Sequence, residues 1–143
     1  MIREVFIIMP AYNAGGTIER VFDRIPPAAR SRITRYVVVD DGSTDDTQAA
    51  LARLRGRCPD LVVLQHDRNR GYGAAEKTLL DYAVDGGADV AILLHSDGQY
   101  SPEKTLDVLD PFDRGEADIV QGSRMLKAGA LRGGMPLYKV LAN

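Results

Sequence analysis

The chain has a single cysteine, Cys58, among its 143 residues. One thiol excludes an internal disulfide framework and favours a reducing compartment such as the cytosol. Cys58 follows an arginine-rich helix end and precedes a proline, so it reads as a boundary residue without a chemical role. No segment approaches the roughly 20 consecutive apolar residues of a membrane span, and no separate charged and apolar leader stands at the N-terminus. The net charge of −2 gives no case for nucleic-acid binding. Two signatures of nucleotide folds are missing as well: there is no Gly-x-x-x-x-Gly-Lys phosphate loop and no Gly-x-Gly-x-x-Gly after the first strand.

What is present suits one compact α/β domain over residues 1–143, since a chain of this length with 45% apolar residues can bury one core. Residues 4–9, 35–40, 61–65 and 90–94 read as buried strands, and 118–121 as a short fifth. Helical spacing separates them. Thr17 opens a helix carrying Ile18, Val21, Phe22 and Ile25, and Ser43 with Asp46 resembles a cap for a helix through Ala50, Leu51 and Leu54. Residues 74–84 form a third helix with Leu79, Leu80 and Ala83 inward, and Pro102 starts a fourth carrying Leu106, Leu109 and Phe112. Strict alternation implies parallel strands, right-handed crossovers and a Rossmann-like, doubly wound sheet with helices on both faces. The glycine-rich stretch 125–135 reads as a mobile loop, and 136–142 as the start of a helix.

Each strand ends in a polar or glycine-rich cluster: Pro10, Ala11, Tyr12 and Asn13; Asp40 to Ser43; Asn69 to Gly73; His95 to Gln99; and Gly122, Ser123 and Arg124. Ligands of open α/β sheets bind beyond the carboxyl ends of the strands, so these clusters describe the rim of one site. Charge is uneven around it. After Asp118 there are four basic residues and no acidic one, so a net −2 leaves −6 on the rest. Either the surface is merely uneven and solvated, or an acidic rim holds a divalent cation beside a basic flank for phosphate.

Asp97 is the strongest single candidate, with His95 two positions before it and Gln99 two after. Imidazole, carboxylate and amide oxygen together suit a borderline ion such as Mn²⁺, whereas Mg²⁺ favours oxygen alone. The competing reading makes His95 a hydrogen-bonded core residue and Asp97 a helix cap. Asp40 and Asp41 are adjacent, so their side chains leave an extended backbone on opposite sides. One suits a nucleoside base or ribose, and the other a turn closed on backbone amides. Tyr12 offers a ring on which a base could stack, Gly71 lets backbone approach a ligand, and Arg68 or Arg70 could reach phosphate.

In this order and spacing, Pro-Ala-Tyr-Asn at 10–13, Val-Asp-Asp-Gly-Ser-Thr-Asp at 39–45, Asn-Arg-Gly-Tyr-Gly at 69–73, Asp-Gly-Gln-Tyr-Ser-Pro-Glu at 97–103 and Gly-Ser-Arg-Met at 122–125 resemble the family 2 glycosyltransferases of the GT-A fold, especially the dolichyl-phosphate mannose synthase-like branch. The resemblance covers residues 5–143. It implies inverting transfer of a sugar from a UDP-, GDP- or dTDP-linked donor, with Mn²⁺ or Mg²⁺ as cofactor. A polyprenyl phosphate is the implied acceptor, met by a cytoplasmic protein at the inner face of the membrane. Pro10, Ala11, Tyr12 and Asn13 would border the base, and Asp40 and Asp41 would recognise base and ribose. Arg70, Gly71 and Ser96 would line the donor. Asp97 resembles the second carboxylate of the family's Asp-x-Asp motif and Gln99 a further metal neighbour, with His95 in the remaining metal position. Arg124 would face phosphate, and Arg132 is a second candidate.

Two departures from the family stand out. His95 replaces an Asp: either it removes one negative charge from the metal site and favours Mn²⁺ over Mg²⁺, or it lies outside the coordination sphere and Asp97 carries the ion through water. The chain also stops at Asn143, where family catalytic domains continue, so it reads as a domain truncated on the acceptor side. These departures keep open a non-catalytic nucleotide-sugar-binding module. A phosphoacceptor signalling domain fits less well, because it needs a lysine on a later strand, where this chain has Gly122, Ser123 and Arg124.

Overall fold

The computed structural model describes residues 2–123. Four strands, β1 (Val5–Ala11), β2 (Arg35–Asp40), β3 (Leu61–Gln65) and β4 (Val90–Leu93), form one parallel sheet in the order β3-β2-β1-β4. Between them run α1 (Ile18–Asp23), α2 (Pro27–Arg30), α3 (Thr47–Arg57) and α4 (Tyr72–Asp85), with α5 (Thr105–Asp113) after β4.

The strands are apolar on both sides because both faces are covered. Val5, Ile7, Met9 and Ala11 of β1 cluster with residues of α1, α2, α3 and α5. Phe6 and Ile8 turn the other way and pack with Ala75, Leu79 and Ala83 of α4. Strand order reverses at β1, which lies between β2 and β4, so the crevice of this sheet opens at the carboxyl ends of β1 and β4. Register sets its shape. Ala11, Asp40 and Gln65 are level across β1, β2 and β3, whereas β4 ends at Leu93, opposite Ile8. The β1 end therefore overhangs its neighbour, and the segment after β4 occupies the step.

Three expectations fail here. Residues 118–121 form no strand: Ile119 is 87% exposed and pairs with no neighbouring strand among the described residues, so no ladder offsets the entropy of extending it. Leu80 is 46% exposed, because successive helical positions are about 100° apart and its neighbour Leu79 takes the inward direction. Ser43 does not cap α3. Its hydroxyl accepts from Asn13 N–H at 2.9 Å, and the Asp45 carboxylate instead bonds the Thr47 N–H at 3.0 Å. The loop expected at 125–135 and the helix at 136–142 lie outside the described residues.

Tyr36 on β2 is 7% exposed and packs at 5.3 Å against Phe22. Burial, reinforced by Cys58, pushes its phenol up to about 12. The neutral form is the one the fold favours, so Tyr36 contributes fully below the unfolded value near 10 and its contribution is lost as pH rises towards 12. Urea midpoints from pH 9 to 12 are expected to fall more steeply for the parent than for Tyr36→Phe, a difference on the order of 2 kcal/mol. Superimposable alkaline limbs would disprove this account. Cys58 is half-buried nearby, and burial pushes its thiol up too, away from a reactive thiolate.

Candidate functional site

The rim begins as three loops stitched into one. After β1, Asn13 adopts a positive φ of 50°, tolerable for Asn because its short side chain bonds locally. Its Oδ1 accepts from Thr44 N–H at 2.9 Å. Ala14 N–H donates to the buried Thr47 hydroxyl at 2.8 Å, and Gly15 N–H to Asp45 Oδ2 at 3.0 Å. The loop after β1 is thereby fastened to the start of α3 by side chains of which one, Asp45, also takes the first amide of that helix.

Asp40 and Asp41 are both buried, at 0% and 3% exposure. Asp40 Oδ1 accepts from Ser43 N–H at 3.0 Å, and the exposed Gln48 donates its amide to Oδ2. Asp41 reaches across to the loop after β3. Its Oδ1 lies 2.6 Å from His66 Nδ1 and 2.9 Å from Arg70 N, and its Oδ2 accepts from Gly71 N–H at 2.9 Å. His66 is 6% exposed, with Nε2 3.1 Å from the Thr78 hydroxyl of α4. Burial alone raises the Asp41 carboxyl, but bonds from Arg70, His66 and Gly71 outweigh it and hold it below the usual carboxylate range. His66 had no place in the reading of the sequence. Its position one residue beyond a strand was the only available signal.

The loop after β4 completes the rim. Ser96 is buried, and Asp97 and Gln99 are exposed. Asp97 Oδ1 accepts from Gln99 N–H at 2.9 Å around Gly98, whose φ is 76°. His95 stacks on Tyr100 at 4.2 Å, and its Nε2 is 3.2 Å from the Tyr72 hydroxyl. A bidentate ion pair between Arg24 and Glu103, at 2.7 and 3.1 Å, anchors the far side of this loop. Arg24 also reaches the Gly98 carbonyl at 3.4 Å.

The expected residues thus fall into four bonded groups: Asn13 with the 43–47 turn, Asp41 with Arg70 and Gly71, Asp97 with Gln99, and His95 with two tyrosines. Pro10 and Ala11 end β1, and the Tyr12 ring is 49% exposed at its tip. The Arg70 guanidinium is paired with Asp67 at 2.9 and 3.2 Å, so only its backbone serves Asp41. Arg124 and Arg132 lie outside the described residues.

Among the described residues, no three His, Cys, Asp or Glu side chains gather as a metal-binding group. Asp97 and Gln99 offer oxygen donors that suit a hard divalent ion if phosphate or water completes the shell. Two hollows, of about 470 and 320 Å³, lie beside α5 and beside Tyr36 and Cys58, and no strand-end residue lines either. The strand-end crevice carries the convergent polar groups, and chemistry is assigned there by those groups rather than by volume. No helix of the described residues is long and apolar enough to cross a membrane.

The sequence profile described as glycosyl transferase family 2 matches residues 6–139. A polyprenol monophosphomannose synthase of Mycolicibacterium smegmatis is 32% identical, aligned over 91% of this chain and 48% of its own length. A UDP-N-acetylglucosamine–dolichyl-phosphate N-acetylglucosaminyltransferase of Methanococcus voltae is 28% identical, over 97% of this chain and 59% of its own. The chain thus spans about half the length of these relatives. Among solved structures, a mannosyltransferase of Pyrobaculum calidifontis in complex with GDP-Man and Mn²⁺ superposes with a TM-score of 0.58 and 31% identity, covering 67% of this chain and 28% of the other. The parallel sheet, its reversal at β1 and the polar strand ends agree with that likeness, and the fold is the Rossmann-like GT-A fold. The chain belongs to glycosyl transferase family 2, in its dolichyl-phosphate mannose synthase-like branch.

Proposed function

We propose that this chain carries the donor-binding part of an inverting, metal-dependent glycosyltransferase that moves a sugar from a nucleoside diphosphate to a polyprenyl phosphate. The observation that carries the reading is the stitched rim at the β1–β4 reversal, with the exposed Asp97 and Gln99 beside it. The Pyrobaculum structure with GDP-Man and Mn²⁺ supports the donor class, and the names of the two relatives support a lipid-phosphate acceptor.

In this reading the exposed Tyr12 ring stacks on the base. Asp40 meets the base and ribose once the exposed Gln48 side chain swings off it. Asp41 holds the 67–71 loop that carries Gly71, and Arg124 and Arg132 belong to the phosphate side of the site. Asp97 and Gln99 hold the divalent ion, which when bound supplies positive charge against the leaving diphosphate. An acceptor phosphate oxygen attacks the sugar's anomeric carbon from the side opposite the leaving nucleoside diphosphate. The bond from that carbon to the diphosphate breaks, and inversion follows from the single displacement. A phosphate acceptor is ionised at neutral pH, so this chain need not provide a general base. The acceptor places the protein at the cytoplasmic membrane surface.

Calorimetric titration with UDP, GDP and dTDP, in Mn²⁺ and in chelator, tests the reading. One nucleotide is expected to bind in Mn²⁺, at least about tenfold more weakly in chelator and in Asp97→Ala. Metal-independent binding, or none by a folded chain, would refute it. Turnover with GDP- or UDP-sugar and a polyprenyl phosphate, in a protein with the relatives' full length, separates an enzyme from a binding module.

A further inference from the structure

His95 stands where the family has a carboxylate, and its surroundings give it different work. Tyr72, the first residue of α4, places its hydroxyl 3.2 Å from Nε2. In one tautomer the hydroxyl donates to the Nε2 lone pair, and in the other Nε2–H donates to the hydroxyl oxygen. Either way Nε2 has no free lone pair for an ion, which leaves Nδ1 as the one ring nitrogen whose ligation the test below has to decide. One face of the ring is also taken, because Tyr100 stacks on it at 4.2 Å with 29° between planes, while Tyr72 meets it edge-on at 5.4 Å.

The stack joins the two ends of a short loop. Residues 96–99 lie between His95 and Tyr100, and two bonds cross inside it, Gly98 N–H to the His95 carbonyl at 3.4 Å and Gln99 N–H to Asp97 Oδ1 at 2.9 Å. Both side chains proposed to hold the ion are therefore inside a loop closed by two rings. Fixing that loop before the ligand arrives removes an ordering cost from binding.

We infer that His95 is a positioning residue rather than a metal ligand: with Tyr72 and Tyr100 it forms a three-ring latch that ties the start of α4 to the 96–100 loop and sets the direction of Asp97 and Gln99. The ion-binding part rests on the function proposed above. The latch does not.

The test uses His95→Ala, Tyr100→Ala and His95→Phe. The alanine changes remove the stack from opposite sides, whereas phenylalanine keeps a flat ring and removes both nitrogens. Amide hydrogen exchange of residues 96–100, in chelator, is expected to quicken about tenfold in each alanine variant and to stay within about threefold of the parent in His95→Phe. Mn²⁺ affinity with GDP, UDP or dTDP present, read from the free-ion electron paramagnetic resonance signal, is expected to follow the same order. If His95→Phe weakens Mn²⁺ as much as His95→Ala while the loop stays protected, a nitrogen ligates the ion and the inference fails. Unchanged exchange in both alanine variants also overturns it. A parent that binds no Mn²⁺ with any of the three nucleotides refutes the proposed function instead, and the exchange measurement alone then decides the latch.

Discussion

Asp41→Ala is expected to lower the unfolding free energy by about 3–5 kcal/mol, because hydrogen bonds to a charged acceptor contribute about 1.5–3 kcal/mol each and the change removes more than one. The carboxylate accepts from His66, Arg70 N–H and Gly71 N–H; alanine leaves the buried His66 and the Arg70 N–H without it, while Gly71 N–H keeps its second acceptor, Asn69 Oδ1, at 2.9 Å. Natural domains hold only about 5–15 kcal/mol in total, so the midpoint of thermal unfolding falls by about 10 °C or more. Asp41→Asn separates charge from shape. Its amide keeps one acceptor but turns the other atom into a donor that faces an N–H. Because bonds hold the Asp41 carboxyl below its ordinary range, the native state gains from the ionised form. That gain is complete above the unfolded value near 4 and is lost as pH falls through the lower folded value. The stability difference between parent and Asp41→Asn should therefore narrow from pH 7 towards pH 2–3. A constant difference across that range in urea titrations would show that shape, not charge, fixes the loop.

The parts of this architecture that sequence exposes are those carried by neighbouring residues. Apolar runs such as Phe6, Ile7 and Ile8 mark buried strands, and a polar cluster just after each marks the rim, because both depend on consecutive side chains. Asp97 was visible for that reason. His66 was not. Its role arises from register, since Asp40 pairs with Gln65 and the next residue, His66, donates its N–H to the Asp40 carbonyl at 2.9 Å. Only then does its ring lie against Asp41, which is 25 residues away in sequence. The same holds at Ser43, whose hydroxyl suits a helix cap by local pattern but is claimed by Asn13 from a different loop. The family likeness implies both Asp40 and Asp41 at the ligand. The structure adds that each carboxylate already secures a loop, which a local pattern cannot reveal.

Gly42→Ala is expected to be about as damaging as losing the Asp41 carboxylate, although it removes no polar group. Gly42 has φ of 68°, a left-handed conformation that costs an L-residue roughly 1–2 kcal/mol. A methyl group there would lie 2.4 Å from Arg68 C, 2.5 Å from Asn69 N and 2.7 Å from Arg68 Cα. All three contacts are backbone, so no side-chain rotation relieves them. The 67–71 loop has to retreat, adding about 1–3 kcal/mol of overpacking and lengthening the bonds from Arg70 and Gly71 to Asp41. Gly71→Ala provides the comparison, since Gly71 has φ of 90° but nothing within 4 Å of the added carbon. It carries a backbone term alone, of about 1–3 kcal/mol, because φ of 90° with ψ of 160° is a region kept almost wholly by glycine. Urea denaturation reads both losses, and a Gly42→Ala loss no larger than its backbone cost of about 1–2 kcal/mol would mean that the two loops are not in contact as described. In the double variant Gly42→Ala with Asp41→Asn, the loss should be smaller than the sum, because each change releases the same loop. Additive losses would mean that Asp41 and Gly42 act on separate structures, and the rim would then be three independent loops instead of one stitched unit.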